Sequence, residues 1–253
     1  MLAKERQNAI MDLLQENGAV TTSGLVSKFD VSTETVRRDL AELALKGKLM
    51  KVHGGAVLKT AMEPNLGLNQ RSLIQNEQKR SVARKAISFL KDGDVIAIDS
   101  GSTGACFAEA LAASPLRLTI ITYSLSVFDA LRNSPQFKVI LCGGRYVPEE
   151  QVFWGDLTLS MLRRLHVQKA FLTPSAVSMQ FGICDHEGEF VSIQREMIHF
   201  ADEVFILADS SKFEKQALIQ IDEMSRQFHY ITDNGLSEEL IQLYKNNDYQ
   251  INL

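Results

Sequence analysis

The chain has 253 residues, 45% of them hydrophobic and 23% charged, with a formal net charge of -4. This length and apolar content exclude a disordered chain and suit one small plus one medium domain. An N-terminus carrying Glu5 without a long apolar segment, and the lack of any uninterrupted apolar run of ~18 residues, argue against secretion or a membrane span, so a cytoplasmic protein is expected.

The charge is unevenly spread. Residues 1–59 hold nine Lys/Arg against seven Asp/Glu, a net +2, whereas residues 60–253 hold eighteen against twenty-four, a net -6. Within the first part, Arg37, Arg38, Lys46, Lys48, Lys51 and Lys59 outnumber Glu34, Asp39 and Glu42. Such clustering is the footprint of a local phosphate contact, and an acidic remainder disfavours indiscriminate wrapping by nucleic acid. Cys106, Cys142 and Cys184 are far apart, odd in number and never paired as C-x-x-C. Buried free thiols are therefore expected, with no zinc site, disulfide framework or cofactor.

Residues 6–16 predict an amphipathic helix through Ile10, Leu13 and Leu14, stopped at Asn17-Gly18. Thr21-Thr22 starts a second short helix holding Leu25, Val26 and Phe29, and Asp30-Val31-Ser32 makes a turn. Ser32 can cap a third helix running to Gly47, with Val36, Leu40 and Leu43 on one buried stripe. Thr33, Thr35, Arg37 and Arg38 then point outward. Arginine forks suit phosphate oxygens and the guanine edge, and threonine reaches a phosphate or the thymine methyl, so this face has major-groove chemistry. A solvated amphipathic helix is the alternative. Residues 49–52, a turn at Gly54-Gly55 and residues 56–58 form a basic hairpin, which completes a winged helix-turn-helix. The candidate DNA-contacting residues are Thr22, Ser32, Thr33, Thr35, Arg37, Arg38, Lys51 and His53. For His53 a phosphate contact and a structural turn are equally open.

Many spaced residues here, from Arg6 through Val31-Ser32, Thr35-Val36-Arg37-Arg38-Asp39-Leu40, Leu43, Gly47 and Val52-His53-Gly54-Gly55-Ala56, resemble the DNA-binding domain of DeoR-family bacterial repressors. The expected boundaries are 1–58 for this domain, 59–76 for a linker containing Pro64, Asn65, Gly67 and Asn69, and 77–253 for an effector-binding and oligomerisation domain.

From Glu77 a helix with Val82, Ala83, Ala86, Ile87 and Leu90 begins. Apolar runs then recur at residues 95–98, 118–121, 139–141, 170–172, 204–207 and 229–231, mostly separated by helical segments. The fold class expected is α/β, a mostly parallel sheet covered by helices behind the winged helix-turn-helix. In such sheets ligands bind beyond the carboxyl ends of the strands. There lie Asp99-Ser100-Gly101-Ser102-Thr103-Gly104, Tyr123-Ser124, Gly143-Gly144-Arg145 and Asp209-Ser210-Ser211-Lys212. Residues 100–104 lead into a helix, a geometry that attracts phosphate, although the same composition makes an ordinary cap.

Asp99-Ser100-Gly101-Ser102-Thr103, Gly143-Gly144, Gly155, Asp209-Ser210-Ser211-Lys212-Phe213 and Ile231-Thr232-Asp233 resemble the DeoR-family effector domain, so the likeness covers nearly the whole chain. That resemblance implies a fold similar to ribose-5-phosphate isomerase and a phosphorylated sugar or related metabolite that alters operator affinity. It also implies that residues 100–103 hold the phosphate and that Lys212 contacts ligand oxygens; Lys79 matches a family lysine of unassigned role. Tyr123 stands where members commonly have Asn, and Thr173-Pro174-Ser175-Ala176 replaces a glycine-containing segment. The effector-binding set expected is Asp99, Ser100, Gly101, Ser102, Thr103, Tyr123, Gly143, Gly144, Asp209 and Lys212.

Asp185-His186-Glu187 and Glu189 look like metal ligands, but a lone His among loop acids is more often surface. Trp154 beside Phe153 fits core or interface packing better than stacking on a ligand. The expected protein is a sequence-specific repressor of a carbohydrate-utilisation operon, not an enzyme. Its partners are operator double-stranded DNA, a phosphorylated sugar and a second copy of itself, since two symmetric helix-turn-helix units reach successive half-sites. A sugar-phosphate isomerase carrying an N-terminal nucleic-acid module is the competing reading.

Overall fold

A computed structural model describes residues 3–17, 19–46, 48–52, 54–58 and 67–253. The chain divides into two units, Met1–Asn76 and Glu77–Leu253. His53, Gly18, Gly47 and residues 59–66 of the expected linker lie outside the described residues.

In the first unit, α1 (Ala3–Asn17), α2 (Thr22–Phe29) and α3 (Thr33–Leu45) follow the predicted apolar spacing. Ile10, Leu14, Leu25, Val36, Leu40 and Leu43 are all buried in one core. Thr21 caps α2 by accepting from the Gly24 amide, and Ser32 caps α3 by accepting from the Thr35 amide. Between them Asp30 takes a left-handed conformation, φ 50°, which Asp tolerates better than most residues. Two strands match the expected hairpin, here labelled with an unforeseen partner. That partner, β1 (Ala19–Thr21), pairs antiparallel with β3 (Gly55–Leu58), which pairs in turn with β2 (Leu49–Val52). Three residues are too few to show an alternation in sequence, so β1 reads as part of the helix-turn-helix connection. A Cβ on Gly55 would lie 2.0 Å from the Val20 carbonyl oxygen, so only glycine lets these strands approach. Within the stretch expected as linker, residues 68–71 form a single helical turn, α4 (Leu68–Arg71).

The second unit begins with α5 (Asn76–Ile87) and alternates from there. In order come β4 (Val95–Ile98), α6 (Gly101–Ala112), β5 (Leu118–Thr122), α7 (Leu125–Leu131) and β6 (Phe137–Leu141). A ribbon of β7 (Arg145–Val147) and β8 (Val152–Trp154) precedes α8 (Asp156–Leu162) and β9 (Val167–Leu172). Then follow β10 (Ala176–Ser178), β11 (Gly182–Asp185), α9 (Gly188–His199), β12 (Ala201–Leu207) and a 3-10 turn at Ser210–Lys212. The chain closes with β13 (Ile219–Asp222), β14 (His229–Ile231), α10 (Glu238–Asn246) and β15 (Gln250–Asn252).

Seven strands form one parallel sheet in the order β15-β14-β12-β9-β4-β5-β6. Successive side chains enter opposite layers, as the two-residue strand period requires. Ala97, Ile121, Ala170, Leu172, Val204, Ile206 and Tyr230 join one core. Ile96, Ile98, Ile120, Phe171, Phe205, Leu207 and Ile231 join the other, beneath α5, α6 and α7. Burial on both faces explains why these strands read as continuous apolar runs. A separate antiparallel sheet, β10-β11-β13, was not legible in the sequence, and neither was the β7-β8 ribbon.

Candidate functional site

The outward face of α3 matches the reading made from its sequence. Thr33, Arg37 and Arg38 are exposed and Thr35 is partly so. The Ser32 and Thr35 hydroxyls are 2.8 Å apart, so the first turn holds both in fixed positions. The Arg37 and Arg38 side chains make no hydrogen bond or ion pair among the described residues, and Lys51 on β2 is exposed. Asp39, in contrast, is buried: it accepts from the Arg6 guanidinium at 2.5 Å and from Gln7 at 3.4 Å. Pairing with Asp39 raises the Arg6 pKa further. Gln7 also donates to Glu42 at 2.7 Å. This polar staple joins α1 to α3 and removes Asp39 from the surface charge beside the two arginines. Thr22 opens α2, where its amide donates to the Gly54 carbonyl of the wing turn at 2.7 Å.

At the carboxyl ends of the sheet strands, Asp99 is fully buried and its two oxygens are surrounded by donors. One oxygen accepts from the Ser100 amide (2.8 Å) and the Tyr123 hydroxyl. The other accepts from the Thr173 amide (2.9 Å) and the Gln194 amide nitrogen (3.0 Å), with the Thr173 hydroxyl oxygen 3.4 Å away. Burial pushes the Asp99 carboxyl up, and the hydrogen bonds from Tyr123, Gln194, Thr173 and Ser100 oppose that shift. Burial, with Asp99 beside it, likewise pushes the Tyr123 phenol well up. Asp99 is thus the anchor of this cluster and has no side open to a ligand.

Gly101 begins α6 at φ +82°, a conformation that glycine adopts without strain and that turns the chain from β4 into the helix. Ser100 occupies the cap position but its side chain does not cap. Its hydroxyl lies 2.8 Å from the Tyr123 oxygen, whose own proton goes to Asp99. The ordinary-cap reading of this serine is therefore corrected: a buried phenol on β5's end competes for it. The first amides of α6 have no intrahelical acceptor. The Thr103 hydroxyl is buried without a hydrogen-bond partner among the described residues. Ser102 is also buried.

Lys212 donates to the Pro174 carbonyl at 2.7 Å, and the neighbouring Thr173 hydroxyl donates to the Ser100 carbonyl. Residues 173–174 therefore join the Lys212 turn to the start of α6. Asp209 is buried and accepts from the Ser211 amide (3.1 Å) and hydroxyl, so it shapes the turn that carries Lys212. Gly143 and Gly144 are not brought into this hydrogen-bonded cluster; the Gly143 carbonyl instead accepts from Thr158 of α8 at 3.0 Å.

Two residues were passed over in the sequence. Asp185, grouped there with surface acids, is buried and accepts from the Ser175 hydroxyl (2.7 Å) and the His186 amide (2.8 Å). Gln194 of α9 bridges it to Asp99, donating to each carboxylate at 3.0 Å. The available signal was a lone amide on a helix stripe otherwise made of Phe190, Val191, Ile193 and Met197. Among the described residues, no group of three or more His, Cys, Asp and Glu could hold a metal ion. Trp154 packs on Phe190 at 5.7 Å, with the Arg145 guanidinium 4.8 Å from its ring. Cys106, Cys142 and Cys184 are free and buried, and burial pushes the Cys142 thiol up to about 11.

Comparison with known proteins adds the lineage. Residues 6–61 match the DeoR-like helix-turn-helix domain, and residues 74–234 match the DeoR C terminal sensor domain. The chain is 32% identical over 243 residues to the L-fucose operon activator of Haemophilus influenzae, covering 96% of this chain and 97% of that one. It is 29% identical over 253 residues to the glycerol-3-phosphate regulon repressor of Escherichia coli, covering 100% of both. It is 31% identical over 245 residues to the lactose phosphotransferase system repressor of Lactococcus lactis, covering 96% and 95%. Among solved structures, ribose 5-phosphate isomerase A of Methanocaldococcus jannaschii overlaps 56% of each chain at 21% identity and a TM-score of 0.42. A helix-turn-helix domain over residues 6–61, a sensor domain over residues 74–234 and full-length likeness to these regulators together place the chain in the DeoR family of transcriptional regulators.

Proposed function

We propose that the protein binds an operator through α3 and represses a carbohydrate-utilisation operon until a phosphorylated sugar or related metabolite engages the sensor unit. The observation that carries the DNA half is the exposed Arg37-Arg38 pair on a capped helix, with no partner among the described residues. Full-length relatives named for sugar operons support the regulated pathway class, and both an activator and repressors occur among them. Ser100, Gly101, Ser102 and Thr103 would receive the phosphate at the start of α6, where amides and hydroxyls converge on a positive helix end. Lys212 adds a compact charge from the neighbouring turn. Against the competing isomerase reading, in which Asp99, Asp209 and Lys212 could transfer protons, Asp99 is already held by donors from residues 100, 123, 173 and 194.

Such a switch requires the effector to bind the operator-competent and operator-released states with different affinity. A dimer or larger assembly of this chain, working in the cytoplasm, would present two recognition helices to half-sites about one helical turn apart. The test is operator binding by the full chain, measured against salt and against a panel of sugar phosphates. Release by at least one phosphate ester, and loss of that release in Ser102→Ala, is the expected result. An operator response equally strong in Ser102→Ala would remove the phosphate from the start of α6.

A further inference from the structure

Gln194 is 2% exposed, and its amide nitrogen faces two carboxylates, Asp99 and Asp185, at 3.0 Å each. Its orientation is therefore fixed. The opposite flip would aim the amide oxygen at two carboxylates, where it could accept nothing. With the nitrogen so held, the amide oxygen is buried and has no hydrogen-bond partner among the described residues. A buried acceptor left unmet is destabilising, because it gives up its bond to water and gains nothing in return.

The surroundings say what kind of group would meet it. Asp185 uses one oxygen on Ser175 and His186, while its other oxygen accepts only from Gln194 among the bonds described here. Asp99, on the far side of the amide, is saturated. Gln194 and Asp185 together thus offer acceptors and no spare donor. A neutral hydroxyl would find a partner here; a carboxylate or a second phosphate would find only oxygen lone pairs and negative charge.

We infer that Gln194 and Asp185 form the hydroxyl-reading end of the effector site, selecting a monophosphorylated polyol or sugar over phosphorylated sugar acids and bisphosphates. This deepens the sugar-phosphate reading and rests on it, since residues 100–103 supply the phosphate end. The two ends are joined through Asp99, which holds Gln194 on one side and the Ser100 amide on the other. Gln194 is a specificity-determining residue and not a catalytic one, because an amide neither takes nor gives a proton.

The experiment uses the full chain and calorimetric titration. The probes are inorganic phosphate, a panel of three- to six-carbon sugar and polyol monophosphates with no charge beyond the phosphate, and the matched 6-phosphogluconate and fructose-1,6-bisphosphate. Wild type is expected to prefer at least one of these monophosphates over inorganic phosphate, and over the acid and the bisphosphate. Gln194→Lys keeps a donor for both carboxylates while deleting the orphaned oxygen, so the bridging role is rescued and the reading role is lost. Its preference for the monophosphate over inorganic phosphate should fall roughly tenfold or more. An unchanged preference in a folded Gln194→Lys variant overturns the inference, as does a wild type that prefers the acid or the bisphosphate, a comparison that needs no variant. The parent reading fails separately: it falls if Ser102→Ala leaves the affinity for inorganic phosphate and for the monophosphates as in wild type.

Discussion

The α3 face and the strand-end cluster of the sensor unit are both polar, but they are built in opposite ways. On α3 the arginines are exposed and have no protein partner among the described residues, while the helix beneath them is held by its cap and its apolar stripe. At the strand ends nearly every polar atom is paired, and Asp99 alone gathers donors from residues 100, 123, 173 and 194. The first surface is ready for a partner that supplies the missing contacts. The second holds its shape by itself, and the Thr103 hydroxyl and the Gln194 oxygen are among its few buried polar atoms without a partner among the described residues.

The difference can be broken from either side. Asp99→Ala strips the acceptor from several buried donors at once, so a loss of ~3 kcal/mol or more in sensor stability is expected at ~1–3 kcal/mol per orphaned group. The chain's one tryptophan, Trp154, lies in the sensor unit, so its fluorescence during urea unfolding reports that loss directly. A variant that unfolds at the wild-type midpoint would show that Asp99 is not the anchor. Replacing Arg37 and Arg38 by alanine should do the reverse, leaving the Trp154 transition in place while operator affinity falls. A base-edge contact is worth ~1–3 kcal/mol and relaxes one operator position, whereas a phosphate contact weakens all sequences and flattens the salt slope. Wild-type operator affinity in the double variant would sink the recognition-helix assignment.

Lys212→Ala sharpens the contrast, because that side chain is only partly buried and reaches across to Pro174. The sensor should stay folded and the operator bound, with the effector midpoint raised roughly tenfold, the scale of a lost charge-assisted hydrogen bond. An effector midpoint at the wild-type value would place the pocket away from this turn. The smallest effect is expected at His229, stacked on Phe205 at 4.6 Å and 3.7 Å from Glu203. Burial lowers its pKa below 6.5, and Glu203 opposes this. Its neutral form is favoured in the fold, so that contribution is present above about pH 6.5 and is lost as pH falls through the folded value. His229→Phe keeps the stacking and should flatten the fall in melting temperature on acidification; an unaltered slope would assign that fall to other groups.

How much of this the sequence displayed follows from the same contrast. Val36, Leu40 and Leu43 lie within one helix, and the apolar strands are buried on both faces, so local pattern sufficed for α3 and for six of the sheet's strands. The strand-end loops were legible as polar segments following apolar ones. What holds them was less so: Asp99 and Asp209, expected among the effector contacts, are buried and hydrogen-bonded within the sensor unit. Gln194 bonds a partner 95 positions away, and no local period encodes such a contact. Strands β10, β11 and β13 are short, and α9 and β12 interrupt them, so their pairing exists only once the chain has closed around them.

The position of β4 has a consequence during synthesis. It is the first sheet strand to leave the ribosome yet lies inside the finished sheet, between β5 and β9. At ~5–20 residues per second, its β9 edge stays unpaired for on the order of several seconds while α6 through α8 are being made. Thr173 and Gln194, which close over Asp99, emerge later still. The operator-binding unit is therefore complete while the nascent sensor still exposes an apolar strand edge, and substitutions at the strand ends should register in a growing cell first as lost yield through aggregation or chaperone retention.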